Sequence, residues 1–213
     1  MGSSMFVLHT ERGSGGFAVQ AVLEAAGAEY RVVEVAERGP RTAEFLKLNP
    51  MGQVPVVELP DGSVMTESAA IVIHLADALA PGRLAPATDS PARPAYLRWL
   101  VFMAVNLYTA DLRLFYPDRY TADASGAGAV KEAALAHMEA QFAIVDKAIG
   151  ANRFLLSEEF TAADPYLLML AHWHPEPKDL FARHENLARV CDSVRQVPAV
   201  QAANAFHRIW PAA

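Results

Sequence analysis

The chain has 213 residues, of which 53% are hydrophobic and 20% are charged, and its formal net charge is -6. This composition excludes a disordered polypeptide, and the acidic balance without a basic run argues against a nucleic-acid or anionic-membrane partner. The single cysteine, Cys191, excludes an intrachain disulfide, a CxxC redox pair and a multi-cysteine zinc site. We therefore expect a globular protein from a reducing compartment.

The start of the chain shows no targeting signal. It lacks the charged n-region and the long apolar h-region of a secretory signal peptide. Its apolar stretches are also far shorter than the roughly 18 to 20 residues that a membrane helix needs. We expect residues 1–4 to be a short disordered start, Met5 to be the first structured residue and the cytoplasm to be the location.

The first segment predicts a strand, a helix and a second strand. A β-rich run over 5–9 leads into a glycine-rich turn at 12–16, and apolar residues then recur at helical spacing over 17–26. Gly27 is expected to end this helix, and a second strand is predicted over 30–35. Because a helix separates the two strands, they should form a parallel pair joined by a right-handed crossover.

A short helix, a hairpin and a longer helix complete the first domain. The short helix over 41–48 is stopped by a proline, and strands over 54–59 and 64–66 flank a tight turn. Ser68 then opens an amphipathic helix. This βαβ–ββα order uses only about 75 residues, so we predict a sheet of four strands.

Four prolines between positions 81 and 94 predict a linker after this domain, because proline removes a backbone donor and blocks helix formation. Few cooperative contacts are expected to cross such a linker. The rest of the chain is almost wholly helical, with helices predicted over 95–115, 130–149, 163–173, 187–197 and 200–210. We therefore predict an α/β domain over 5–82, a linker over 83–94 and an all-α domain over 95–213.

One short motif in the first domain points to peptide binding. Val54 and Pro55 stand at the start of a predicted strand, where proline cannot donate to the sheet. A cis bond between them would leave the N–H and C=O of Val54 free to pair with an extended peptide. Taken alone, Pro55 would be an ordinary strand-edge proline.

Glu67 and Ser68 follow twelve residues after Pro55, at the N-terminus of a predicted helix. Free N–H groups and the helix dipole favour a carboxylate there, and Glu67 could pair with an ammonium group beside it. A peptide with an α-amino and an α-carboxylate group at one end would satisfy both. Ser68 alone would be an ordinary N-cap, but the combination at this spacing favours a peptide site.

These features together resemble the soluble glutathione transferase superfamily over nearly the whole chain. The matching parts are residues 49–57 with a cis-proline, the Glu67-Ser68 pair and the thioredoxin-like βαβ–ββα order. In the helical domain, Thr161 and Asp164 match the family's Ser/Thr-x-x-Asp box, which we interpret as a structural capping pair. Residues 197–200 match the segment before the family's last helix.

The resemblance implies a glutathione site and a homodimer, and the residues themselves predict no metal. It places the cysteinyl backbone of glutathione on Val54, next to Pro55, and the γ-glutamyl end on Glu67 and Ser68. Gln53 would be a neighbour of that site. Since the family's first domain uses a thiol chemistry and this chain has no cysteine before position 191, the sulfur would have to arrive with the ligand.

The family's usual activating residue is missing. In relatives, a Tyr, Ser or Cys lies at the end of the first strand or in the turn after it. This chain has Leu8 where the tyrosine types carry their phenol and Gly15 where the bacterial beta types carry cysteine. Thr10 and Ser14 are the remaining hydroxyls that could donate a hydrogen bond to the thiolate and lower its pKa. Backbone N–H groups over 13–16 could do the same, and Ser14 could instead simply cap the turn.

Charged and ring-bearing residues outside this motif have both structural and functional interpretations. Arg12, Arg38 and Arg41 are candidates for the glycine-end carboxylate of glutathione, although surface arginines are usually only solvated. His172 and His174 should point to different faces of a helix, which argues against a metal site.

A stripe on the predicted 95–115 helix is most often core or subunit contact, and its functional interpretation is an apolar wall for an electrophile. Its members are Tyr96, Trp99, Phe102 or Met103, and Asn106, with Tyr108, Phe115 and Tyr116 as further candidates for the same pocket.

The leading hypothesis for function is a glutathione-dependent transferase that conjugates the glutathione thiolate to a small hydrophobic electrophile. Two alternatives remain open. One is a glutathione-dependent disulfide reductase, and the other is a non-catalytic binding module that keeps the fold.

Overall fold

The computed structural model describes residues 5–36 and 41–211, and the predicted disordered start at 1–4 lies outside them. Within these ranges, no helix is long and apolar enough to cross a bilayer. The strands are β1 (Phe6–Thr10), β2 (Tyr30–Glu34), β3 (Val56–Glu58) and β4 (Val64–Met65). The α-helices are α1 (Gly16–Ala26), α2 (Ala43–Leu48), α3 (Ser68–Leu79), α4 (Arg93–Phe102), α5 (Thr109–Phe115), α6 (Ala127–Ile149), α7 (Ala163–Trp173), α8 (Pro177–Arg183), α9 (Glu185–Arg195) and α10 (Pro198–His207).

The four strands form one mixed sheet in the order β2-β1-β3-β4. β1 and β2 are parallel, with Leu8 opposite Val32, and β3 runs antiparallel to both β1 and β4. Leu8 and Val57 are fully buried in the core of this sheet. The sheet confirms the predicted thioredoxin-like βαβ–ββα order.

Helix α1 is buried along most of its length because it is covered on several sides. It packs against α3 and also against α7 and α10 from the helical domain. Every residue over 16–23 is buried, so this part of α1 lacks the exposed polar face of an amphipathic helix. Gly27 ends α1 in the left-handed region at φ 68°, a conformation that costs glycine little.

The segment predicted as a linker is packed into the molecule. Leu84 is buried, and its C=O accepts a hydrogen bond of 2.8 Å from the N–H of Ala162. Arg93 binds both carboxylate oxygens of Asp77 in α3 at 2.6 Å. The expectation that few contacts cross this segment is therefore wrong. Pro94 lies in the first turn of α4, where a proline removes no helical hydrogen bond. A high proline content is therefore compatible with a segment that packs against both domains.

The predicted helix over 95–115 is interrupted in its middle. α4 is followed by a π-helical segment, Met103–Tyr108, and then by α5. A π-helical turn widens the helix and rotates the residues that follow it, and such insertions are frequent at functional sites. The short helix α8 was not predicted, because its sequence begins at a proline in a histidine- and proline-rich stretch.

Helix α7 forms the centre of the helical domain. Asp164 is fully buried and accepts hydrogen bonds from the N–H and Oγ1 of Thr161, at 2.6 and 3.0 Å, and from the N–H of Leu155 at 2.8 Å. Burial raises the pKa of this carboxyl to about 6 in spite of these bonds. The geometry confirms the predicted structural role of the Thr161–Asp164 pair.

Candidate functional site

The loop between α2 and β3 presents an unpaired stretch of main chain. The Asn49 side chain holds it, since its Nδ2 donates to the C=O of Gln53 at 2.8 Å and its Oδ1 accepts from the N–H of Met51 at 3.1 Å. The Val54–Pro55 bond is cis, as predicted. Among the described residues, neither the N–H nor the C=O of Val54 has a hydrogen-bond partner. This edge is therefore free to accept one more extended strand.

Glu67 and Ser68 form the start of helix α3, as predicted. Glu67 has φ 65° and ψ 100°, a backbone conformation that non-glycine residues seldom adopt, and its side chain is exposed. Ser68 Oγ lies 3.0 Å from the hydroxyl of Tyr166 in α7. The first turn of α3 has no side-chain cap hydrogen bond from Glu67, which makes this helix end a favourable position for a carboxylate.

These two features border one cavity of about 150 Å³ between the sheet edge and the helical domain. The predicted binding residues Gln53, Val54, Pro55, Glu67 and Ser68 all line it. The other lining residues are Asn49, Ala69, Ala104, Tyr108, Thr109, Leu112 and Tyr166. The structure thus brings together all the residues predicted for the cysteinyl and γ-glutamyl parts of the ligand, but none of the predicted arginines that the structure describes lines this cavity.

Two tyrosines from the helical domain close this cavity. The ring of Tyr108 packs edge-on against Trp173, with centroids 5.3 Å apart, and lies 6.3 Å from the ring of Tyr166. Burial raises the pKa of the Tyr166 phenol to about 12 and also raises the pKa of Tyr108 well above its ordinary value. Both hydroxyls are therefore neutral hydrogen-bond donors at physiological pH.

Gly15 lies directly against one of these hydroxyls. A Cβ placed on Gly15 would be 2.7 Å from the Oη of Tyr108 and 3.4 Å from the Cδ of Pro55. A side chain at this position would therefore collide with the phenol.

Thr10 and Ser14 lie outside the cavity-lining set. Thr10 is fully buried beneath α1, where a Cβ on Gly16 would be only 1.9 Å from its Oγ1. The Thr10 and Ser14 hydroxyls are 2.9 Å apart, and Ser14 Oγ also donates to the C=O of Glu11 at 2.8 Å and accepts from the N–H of Gly16 at 3.3 Å. These contacts make Ser14 a turn cap, and the role of either hydroxyl toward a thiolate stays a prediction.

The arginines predicted to bind the glycine end are engaged elsewhere. Arg12 pairs with Glu34 at 2.8 Å, donates to the C=O of Phe206 at 3.1 Å and stacks over the Phe206 ring at 4.5 Å. Arg41 pairs with Glu11 and donates to the C=O of Gly52 at 2.7 Å. Arg38 lies outside the described residues. Arg12 therefore ties the turn before α1 to α10 and does not line the cavity.

The predicted stripe on the long helix is mostly core. Tyr96, Trp99 and Met103 are buried and do not line the cavity, and Phe115 and Tyr116 are exposed away from it. Of the predicted pocket candidates Tyr108 does line the cavity, and the rest of this wall consists of Ala104 and Leu112, each four residues from Tyr108, together with Thr109. The π-helical segment explains the difference, because it shifts the inward-facing register beyond what a regular helical repeat predicts.

The remaining chemically interesting side chains have structural partners. His174 is buried and bonds Glu139 at 3.0 Å, and His172 contacts the rings of Phe181 and Trp210. Cys191 is buried in α9, and burial raises the pKa of its thiol. Over residues 5–36 and 41–211, no cluster of three or more His, Cys, Asp or Glu side chains could hold a metal ion.

A second hollow, of about 540 Å³, lies between α2 and the end of β2, with His9, Phe45 and Glu58 among its lining residues. Although it is the larger of the two, Arg41 alone lines it among the described residues that were predicted to bind glutathione. His9 and Glu58 are paired within it at 2.7 Å. We therefore place the functional site at the smaller cavity.

Sequence reasoning missed the contribution of Tyr166. It lies three residues inside the largely buried helix α7, and nothing in its local sequence indicates that its hydroxyl reaches Ser68, 98 positions earlier in the chain. Ala104, Thr109 and Leu112 were missed for the same reason. The small side chain of Ala104, which leaves room beside the helix, is the signal in the sequence that could have indicated a cavity there.

The chain combines a thioredoxin-like sheet that carries a cis-proline with a helical domain that follows it. Comparison with known proteins finds the same class of fold. Residues 17–78 match the family model of the glutathione S-transferase N-terminal domain. Over 184 residues, the chain is 28% identical to the glutathione S-transferase GstA of Escherichia coli O157:H7, which covers 85% of this chain and 88% of that protein.

Solved structures agree with this assignment. A sphingomonad glutathione S-transferase complexed with glutathione is 28% identical, with a TM-score of 0.78 over 96% of this chain and 100% of the other. A glutathione transferase homologue from Sulfitobacter, at 22% identity, shares the fold with a TM-score of 0.85 over 95% of this chain and 98% of the other. The first domain of the chain thus matches the glutathione S-transferase N-terminal domain, and the chain as a whole is similar to glutathione transferases in sequence and fold.

Proposed function

We propose that this protein is a glutathione-dependent transferase that conjugates the glutathione thiolate to a small hydrophobic electrophile. The observation that carries the proposal is that the unpaired main chain of Val54 and the N-terminus of α3 open into the same cavity. The match of residues 17–78 to the glutathione S-transferase N-terminal domain supports glutathione as the co-substrate, and the similar sphingomonad protein was solved with glutathione bound.

The cysteinyl residue and the γ-glutamyl end of the tripeptide each have a chemically matched partner in this arrangement. The cysteinyl N–H and C=O would pair with the main chain of Val54 as a short antiparallel strand. The γ-glutamyl carboxylate would accept hydrogen bonds from the first N–H groups of α3 and from Ser68, whose hydroxyl is positioned by Tyr166. The ammonium group would pair with the exposed carboxylate of Glu67.

The helical domain supplies the surface for the second substrate. Ala104 and Leu112 give this wall an apolar character, and Thr109 adds a single hydroxyl. An apolar wall favours a small hydrophobic molecule but does not select its identity. The sulfur would come from glutathione, because Cys191 is only 1% exposed and lies in α9.

We also propose that the protein is a cytoplasmic homodimer with a domain boundary in the 83–94 segment. Support for a dimer comes from the resemblance to the family and from the exposed apolar side chains Val101, at 51%, and Val105, at 57%, which lie next to each other on one helix. Light scattering of the purified chain should give twice the mass of 23.1 kDa.

Calorimetry with glutathione tests the binding part of the proposal. We expect a Kd below about 1 mM for the unaltered protein and a loss of about tenfold or more for Ser68→Ala. Ser193→Ala is the matched control, since Ser193 makes its hydrogen bond within α9. Absence of binding to the unaltered protein at millimolar glutathione would overturn the proposed function.

Turnover assays separate the transferase from the two alternatives. A transferase conjugates an activated aryl halide or an α,β-unsaturated carbonyl compound. A disulfide reductase would instead use the glutathione thiolate to attack a mixed disulfide, releasing the substrate thiol and forming a glutathione disulfide. Glutathione binding without turnover in either assay would favour the non-catalytic binding module.

A further inference from the structure

The position where a family side chain would approach the sulfur is occupied by a group from the helical domain. A Cβ on Gly15 would lie 2.7 Å from the Tyr108 hydroxyl, so this hydroxyl lies beside the point where a residue 15 side chain would begin. The same point is 3.4 Å from Pro55, the residue that follows the peptide-pairing main chain of Val54. The middle residue of a tripeptide paired with Val54 would therefore carry its side chain close to Tyr108.

The long helix is built so that Tyr108 reaches this point. Tyr108 is the last residue of the π-helical segment, and its ring is held by Trp173 on one side and Tyr166 on another. A ring packed in this way loses little further freedom when a ligand binds. The hydroxyl is thus positioned before any ligand arrives.

The hydroxyl is also available as a donor. Among the described residues it has no hydrogen-bond partner, whereas the hydroxyl of Tyr166 is engaged with Ser68. Burial is the largest cause that raises the pKa of Tyr108. The titratable groups around it raise this pKa further, and they are Tyr166, Asp111, Glu67 and Tyr116. The phenol therefore keeps its proton and can only donate to an anion.

We propose that Tyr108 is the catalytic residue that stabilises the glutathione thiolate, by donating a hydrogen bond from its phenol to the sulfur in place of a side chain at position 15. This inference rests on the proposed function. A hydrogen bond to the charged form of the thiol lowers the thiol pKa, and it acts most strongly in a site that excludes water.

The chemical step leaves Tyr108 unchanged. The glutathione thiol first loses its proton to water or buffer, and the resulting thiolate accepts the Tyr108 hydrogen bond. An electron pair of the sulfur then forms the S–C bond to the electrophile. In a substitution the leaving group departs with the electron pair of the broken bond. In an addition, the π electron pair of the attacked double bond moves onto the electrophile, which afterwards takes a proton from water.

The test is the pKa of the bound thiol, measured from the ultraviolet absorbance of the thiolate as the pH is raised with glutathione at saturation. We expect the unaltered protein to lower this pKa by about one to two units relative to free glutathione. Tyr108→Phe removes only the hydroxyl and should restore most of the free value. At neutral pH its kcat should fall about tenfold to a hundredfold, with little change in the Kd of glutathione.

Tyr166→Phe is the matched control, because it removes the other hydroxyl of the same cavity. It should weaken glutathione binding through Ser68 but leave the bound thiol pKa low. A second measurement needs no turnover: the unaltered protein should prefer glutathione to S-methylglutathione increasingly as pH rises, and Tyr108→Phe should lose that preference.

The outcomes separate this inference from the proposed function. If glutathione binds and the thiol pKa stays equally low in Tyr108→Phe, the role of Tyr108 is wrong while the proposed function stands. An unshifted thiol pKa in the unaltered protein overturns thiolate stabilisation by any group. Failure of glutathione to bind at all overturns the proposed function itself.

Discussion

The two sides of the cavity are built from different parts of the polypeptide. The sheet side contributes mainly main chain, namely the unpaired edge at Val54 and the helix start at Ser68. The helical side contributes side chains, above all Tyr108 and Tyr166. The difference teaches that a main-chain binding edge can be encoded by short local geometry, whereas the side chains that face it come from distant helices.

Each side of the cavity also contains one energetically unfavourable feature, and the two features differ in kind. On the sheet side it is the backbone of Glu67, at φ 65°. On the helical side it is the carboxyl of Asp111 in α5, which is only 7% exposed and whose Oδ1 has no hydrogen-bond partner within residues 5–36 and 41–211. Costs of this kind are often tolerated near functional sites.

The largest expected effect concerns the buried carboxyl on the helical side. Burial raises the pKa of Asp111 to about 7, above the value of about 3.9 for an unfolded chain. The folded protein therefore retains a proton that the unfolded chain has lost, and this group's contribution to the free energy of unfolding falls as the pH rises through that interval. Asp111→Asn should remove this dependence. Between about pH 5 and pH 8, the unaltered protein should lose about 2–3 kcal/mol more stability than the variant.

Urea unfolding at both pH values measures this difference. Comparison with the variant is necessary because burial lowers the pKa of His172 and His207 to about 4, which makes stability rise with pH over part of the same range. Asp118→Asn, at an exposed position, is the control and should follow the unaltered protein. Parallel pH profiles for Asp111→Asn and the unaltered protein would contradict the prediction.

A smaller effect is expected from the strained backbone on the sheet side. Glu67→Gly relieves the positive φ but adds freedom to the unfolded chain, so the free energy of unfolding should stay the same or rise by up to about 1 kcal/mol. At the same time, glutathione affinity should fall about tenfold because the partner of the ammonium group is lost. Thermal unfolding and calorimetry on one preparation measure both quantities.

Glu29→Gly is the matched control for this substitution. Glu29 is exposed and does not have a positive φ, so glycine there should lower the free energy of unfolding by about 0.5–1 kcal/mol without changing glutathione affinity. A clear destabilisation by Glu67→Gly would show that the backbone conformation at this position carries no cost.

The smallest effect is expected at the turn that precedes α1. Ser14→Ala should lower the free energy of unfolding by about 1 kcal/mol, since Ser14 Oγ bonds Glu11 and Gly16. Turnover should change by less than about threefold, because these bonds already engage the hydroxyl. Steady-state kinetics of the variant test this expectation. A decrease in kcat above tenfold at unchanged stability would favour Ser14 over Tyr108 as the donor to the thiolate.

Local sequence was sufficient to predict those parts of the protein whose geometry depends on neighbouring residues. The order of strands and helices in residues 5–82 follows from periodicity and turn residues, and the cis-proline and the start of α3 follow from a motif of about 20 residues. The Thr161–Asp164 cap is local in the same way. Arg12 shows the limit, since its partner Phe206 lies 194 positions away.

The sequence by itself determined the class of fold, the peptide-pairing edge at Val54 and the absence of a cysteine before position 191. Only the tertiary structure decided that the Gly15 position faces the phenol of Tyr108, and that Tyr166 holds Ser68. The physical reason is that main-chain geometry is set by torsion angles and hydrogen bonds within a few residues. The position of a side chain against a distant element depends instead on how whole helices pack and on a single π-helical turn that shifts their register.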